Sequence, residues 1–149
     1  MTGATERDET ADTAIEAGFA PTGEMLSGIS TAIVGLYREH FGKGPTKAKT
    51  YALDDVVICV LRDGLTTVEK TLFDRGRADT VREVRSAFQD AVAERFTSAV
   101  EAVTGRRVVA FMSQAHVDPD LAIEVFFLDD SLPTNGSFET DGDGRPSAG

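Results

Sequence analysis

The stretch Gly42-Lys43-Gly44-Pro45-Thr46-Lys47-Ala48-Lys49 holds three of the four lysines in this 149-residue chain. Glycines interleaved with lysines can wrap a phosphate, because bare backbone N–H groups approach closely and the ammonium adds charge. The setting argues otherwise. A helical pattern precedes this stretch and a strand pattern follows it, the reverse of a nucleotide P-loop. A helix C-terminus presents carbonyls, which repel anions. A clamp of the KH type joins two helices and does not fit either. The stretch reads as a helix cap and turn, with Lys43 and His40 complementing the helix dipole and Lys47 and Lys49 on an exposed strand face.

Three other groups have chemical potential. Arg75, Arg77, Arg82 and Arg85 cluster where a long helical pattern begins. A helix N-terminus is electrostatically better placed for an anion, although Asp74, Asp79 and Glu83 lie between the arginines. The candidate anion- or partner-binding set is therefore Lys43, Lys47, Lys49, Arg77, Arg82 and Arg85. His116, Asp118 and Asp120 have metal-ligand types, but they fall in turn chemistry, Asp-Pro-Asp, and are too few for a defined site. Cys59 lies in the most apolar run and reads as a small buried hydrophobe. No nucleophile elbow or triad spacing is present, so the chain is expected to be non-enzymatic, with no catalytic residue, cofactor or metal.

These residues must be positioned by a small set of elements. Met25, Leu26, Ile29, Ile33, Leu36, Tyr37 and Phe41 recur at helical spacing, predicting a helix over 23–41 that stops at Gly42. Residues 47–53 alternate, and Val56-Val57-Ile58-Cys59-Val60-Leu61 is apolar on both faces, predicting a hairpin. Thr66 with Glu69 has capping-box spacing and opens a short helix near 66–74. Val81, Val84, Phe88, Val92, Phe96, Ala99 or Val100, and Val103 mark a long helix over 78–104, with Thr80 and Glu83 as a second capping box and Gly105 as its stop. Arg82, Glu83, Arg85, Gln89, Asp90, Glu94 and Glu101 form its expected solvated face. Two further β-rich runs flank the 117–120 turn. In the second, Leu121, Ile123, Val125 and Phe127 share one face, and Glu124 suggests partial exposure of the other.

The predicted class is α+β, in the order α-β-β-α(short)-α-β-β. Four mostly antiparallel strands would carry two main helices on one face. Apolar residues on both strand faces exceed what the helices can cover, which suggests a homodimer that buries the second face. The net charge is −10, and it concentrates in the ends. Residues 1–22 and 130–149 read as acidic disordered tails around a single domain at 23–129. Acidic ends disfavour nucleic acid, and no apolar run is long enough to span a bilayer. With one cysteine and no apolar leader, the expected location is cytoplasmic.

Gly42-Lys43-Gly44-Pro45, Leu65-Thr66 with Glu69 and Leu72, Val81 with Arg85, Thr104-Gly105, Asp118 and Val125-Phe126-Phe127-Leu128 together resemble the MpsC-like family over residues 25–128. The resemblance implies a tie to a sodium-translocating, membrane-potential-generating system linked to inorganic carbon supply. It implies no catalytic residues. A chain without a membrane span cannot translocate an ion alone. The resemblance thus points to an accessory or regulatory protein that docks on a membrane transport subunit at the inner face of the membrane. The alternative reading is a small anion- or ligand-binding module built on the basic start of the long helix.

Overall fold

The computed structural model describes residues 23–132. The two expected tails lie outside the described residues, except for residues 130–132. Helix α1 spans Gly23–Phe41, strand β1 Lys47–Leu53, β2 Val56–Arg62, helix α2 Thr67–Asp74, α3 Ala78–Thr104, β3 Val108–His116 and β4 Leu121–Leu128. The predicted order and class therefore hold. All strand pairs are antiparallel, and the sheet order is β1-β2-β4-β3. The second hairpin docks through β4 against β2, which makes the two most apolar strands central.

Strand alternation sends one set of side chains to each face. Val57, Cys59, Leu61, Phe126 and Leu128 point inward and meet Ile29, Ile33 and Tyr37 of α1 and Val92, Phe96 and Val100 of α3. Rings bind the layers together: Phe96 lies 6.0 Å from Phe111, which stacks on Phe126 at 5.0 Å. Leu132 is also buried in this core, and its N–H donates to the Asp54 carbonyl at 2.9 Å. The packed chain thus continues three residues past the expected boundary at 129.

The helix ends follow local chemistry at Gly42, at the start of α2 and at Gly105, but not at the start of α3. The α2 capping box is complete: Thr66 Oγ1 accepts from the Glu69 N–H, and Glu69 Oε1 accepts from the Thr66 N–H. Gly105 closes α3 in the left-handed region at φ 69°, a conformation that side chains resist. The expected second capping box is a correction. Helix α3 already begins at Ala78 after Arg77, so Thr80 lies inside it, where its hydroxyl accepts from Arg77 Nη2. The Leu72 carbonyl accepts the Arg77 N–H and joins α2 to α3 with no room for a separate cap.

Candidate functional site

The motifs singled out by sequence converge on one dipeptide, Gly64-Leu65, in the loop between β2 and α2. Its two N–H groups donate to Asp120, at 3.3 Å to Oδ1 and 3.0 Å to Oδ2. Its two carbonyls accept from cations: Arg85 Nη2 reaches Gly64 at 3.0 Å and Lys43 Nζ reaches Leu65 at 2.9 Å. Pro45 packs on Gly64, where an added Cβ would lie 3.3 Å from Pro45 Cγ. The glycine turn, the long helix and the 117–120 turn are thus fastened to one piece of backbone. Lys43 therefore does not complement the α1 dipole as expected. His116 Nδ1 lies 2.8 Å from the Pro119 carbonyl within its own turn. Among the described residues no group of three or more His, Cys, Asp or Glu side chains converges on a metal position.

Arg85 was expected on the solvated face of α3, and it is instead only 4% exposed. Glu69 is the reason. Arg85 Nε and Nη2 donate to Glu69 Oε2 and Oε1 at 2.6 and 2.5 Å, a two-point pair that removes the penalty of an isolated buried charge. The guanidinium also lies 4.0 Å from the centroid of Phe41 and 5.7 Å from that of Tyr37. Burial acts to raise the Glu69 pKa, but the Arg85 hydrogen bond and charge, with the Thr66 N–H, bring it below the ordinary glutamate value. Gln89, also expected in solvent, is buried one turn further along, and its Nε2 has no hydrogen-bond partner. Val84, expected in the apolar stripe, is exposed instead. The true inner stripe of α3 runs Val81, Arg85, Gln89, Val92, Phe96, Val100.

The other predicted cations lie elsewhere. Arg77 and Arg82 are exposed near the start of α3, and Lys47 and Lys49 are exposed on β1. Lys47 stands across from Arg62 in the β1–β2 register. Of the six candidates, only Lys43 and Arg85 come together, and both serve the Gly64-Leu65 backbone. A narrow cleft beside them, with room for about one water, is bordered by Tyr37, Arg85, His116 and Asp120.

A second polar arrangement was not legible in the sequence. On the helix-covered face, one transverse row of the sheet reads Thr50, Cys59, Glu124, Ser113 across β1, β2, β4 and β3. The rows on either side are apolar. Glu124 is wholly buried, which corrects the expectation of partial exposure. Tyr37 on α1 donates to its Oε1 at 2.5 Å, while Oε2 and the facing Ser113 Oγ have no hydrogen-bond partner. Burial raises the Glu124 pKa to about 7, against smaller lowering influences from Ser113, Tyr37 and Arg85. Burial likewise raises Cys59 to about 11, so it remains a thiol, and holds Tyr37 well above its usual value. At the β1 end, Ser30 and Thr50 hydroxyls meet at 2.7 Å.

Among the described residues, no helix lies on the opposite sheet face. Its rows read Leu53, Val56, Phe127, Ala110; then Tyr51, Ile58, Val125, Met112; then Lys49, Val60, Ile123, Gln114; then Lys47, Arg62, Leu121, His116. It therefore grades from apolar at one end to cationic at the other. Leu53 is 68% exposed and Met112 59%, so apolar side chains stand in solvent. Four strands about 4.8 Å apart and about seven residues long give a face of roughly 450 Å² in plan. The apolar rows take roughly half of it, and apolar patches on monomers are often functional.

No helix among the described residues is long and apolar enough to cross a membrane. No curated protein and no solved structure matches the chain. The family described as the Na+-translocating membrane potential-generating system (MpsC) matches residues 22–130, which include every element described above. The chain belongs to the MpsC family.

Proposed function

We propose that this protein is a non-enzymatic accessory or regulatory component of a membrane-potential-generating system, acting by docking on a membrane transport subunit. The observation that carries this reading is the sheet face left open among the described residues. Its apolar rows and its cationic border of Lys47, Lys49 and Arg62 suit a partner surface that is apolar and edged by acidic side chains. The site chemistry supports binding over catalysis: Arg85 and Lys43 hold backbone, and Glu124 is shut away from any substrate. A role at the inner face of the membrane, in ion or inorganic-carbon transport, follows from the same reading. The test is recovery of a membrane subunit with the full chain from native membranes. Ile123→Glu, on the open face, should abolish recovery and leave the melting temperature nearly unchanged. Equal recovery with this variant would overturn docking through the sheet.

A second copy of the chain is the other reading of this face. Asp54, Asp55, Asp129 and Asp130 are exposed at the apolar end, opposite the end that carries Lys47 and Arg62. Two sheets packed head to tail would bring acidic ends against basic ends. A mass of twice 15.9 kDa by light scattering is expected for that dimer, and a monomer rejects it. Anion binding retains Arg77, Arg82, Lys47 and Lys49 as exposed cations. Stabilisation by phosphate or bicarbonate that is lost in Arg82→Ala would favour that alternative.

A further inference from the structure

A carboxyl enclosed as completely as that of Glu124 requires either a compensating cation or a proton. The charged and titratable groups around it supply no free cation. Helix α1 offers Tyr37, a neutral phenol; β2 offers Cys59, a neutral thiol; β3 offers Ser113, which does not titrate. Helix α3 offers Arg85, whose Nε and Nη2 are held by Glu69 of α2. The nearest cation is thus already paired with another carboxylate. Thr50 of β1 lies beyond Cys59 and hydrogen-bonds with Ser30.

We propose that Glu124, bracketed by Tyr37 and Ser113, is an internal proton-binding site whose occupancy governs how firmly α1 seats on the sheet. A hydroxyl both donates and accepts, so Ser113 suits either state of the carboxyl. With Glu124 neutral, Oε1 accepts from Tyr37 and the proton sits on Oε2, which has no partner in this geometry. On deprotonation the proton leaves for solvent, and the facing Ser113 hydroxyl turns its dipole toward the carboxylate. Tyr37 and Cys59 keep their protons in both states, because burial disfavours the phenolate and the thiolate. Glu124 is then the group of this row that titrates near neutrality. The ionised state leaves a carboxylate in the core without a cation, against the α1 residue that also meets Phe41, Phe88 and Phe96. Deprotonation is thereby transmitted to α1 through Tyr37.

The test is a carbon-13 NMR titration of the glutamate side-chain carboxyls in the full chain, from about pH 4 to about pH 9. One carboxyl, absent in Glu124→Gln, should titrate with a midpoint near 7. The backbone amides of Tyr37 and Phe41 should shift with the same midpoint in the wild type and not in Glu124→Gln. Ser113→Ala should raise the midpoint, since the facing hydroxyl that favours the carboxylate is removed. A Glu124 midpoint near the ordinary value of about 4.3 would overturn the proposal. So would a Ser113→Ala midpoint equal to that of the wild type, or α1 amides that ignore the titration. Should Glu124→Gln fail to fold, the wild-type and Ser113→Ala titrations still decide the matter.

Discussion

Arg85 and Glu124 are both buried charged residue types, and the chain solves the two problems differently. Arg85 is paired at two points, while Glu124 has one phenol donor and no paired cation. Arg85→Ala leaves Glu69 buried without its partner and should cost about 3–5 kcal/mol in denaturant unfolding. A paired change of Arg85→Met with Glu69→Gln should cost clearly less, because no charge is stranded. The pH dependence has two opposed parts. Glu124 rises from 4.5 unfolded to about 7 folded, so the folded state binds the extra proton. Its stabilisation is full below pH 4.5 and is lost as pH rises through about 7. The difference corresponds to about 3 kcal/mol, at about 1.4 kcal/mol per pKa unit. Glu69 is depressed, so its contribution is present above its unfolded value and lost as pH falls through the lowered one. Thermal melts across pH should therefore peak in mildly acidic solution, and Glu124→Gln should remove the decline toward pH 8. A wild-type stability that is flat between about pH 5 and about pH 8 would contradict the assignment.

At the scale of elements, α2 is too short to be stable by itself and depends on its ends. Its capping box also presents Glu69 to Arg85, so one side chain serves both the helix start and the buried ion pair. Thr66→Ala removes one hydroxyl acceptor and should cost about 1 kcal/mol. A loss well above about 2 kcal/mol, read from the urea midpoint, would mean that the cap also holds Glu69 against Arg85. The element sequence was legible because apolar spacing, Gly42, Gly105 and the Thr66–Glu69 pair are local signals. The start of α3 at residue 78 was legible, but its cap was misread, because the first turn is joined to α2 by the Arg77–Leu72 hydrogen bond, which spacing does not encode. The α3 stripe was misread at Arg85 and Gln89 for a related reason. Both sit at helical steps from Val81 and Val92, but polar types at those steps normally face water. Only the partner from another helix makes burial affordable for Arg85.

At the scale of the whole molecule, the described residues form two layers, a sheet with helices packed on one face. Helices cover one side of the sheet, and the other side grades from apolar to basic. Met112→Glu adds a charge on the edge strand of this face and should change stability by about 0.5 kcal/mol or less. It should also reduce any association measured by sedimentation. Unchanged association would exclude this face from it.

The sequence alone determined the class, the seven elements, the capping box of α2, the burial of Cys59 and an excess of apolar strand surface. Each of these is written in short-range periodicity or in the type of a single residue. The tertiary structure decided which long-range partners meet. It joined Lys43 and Arg85 on the carbonyls of Leu65 and Gly64, so the glycine-lysine stretch, read from sequence as a cap and turn, also serves as a strut. It also set the β1-β2-β4-β3 order, which aligns Thr50, Cys59, Glu124 and Ser113 in one buried row. Side-chain alternation along a strand is local, but which strands lie side by side, and at what register, depends on contacts far apart in sequence. The ionisation of Glu124 follows from those contacts.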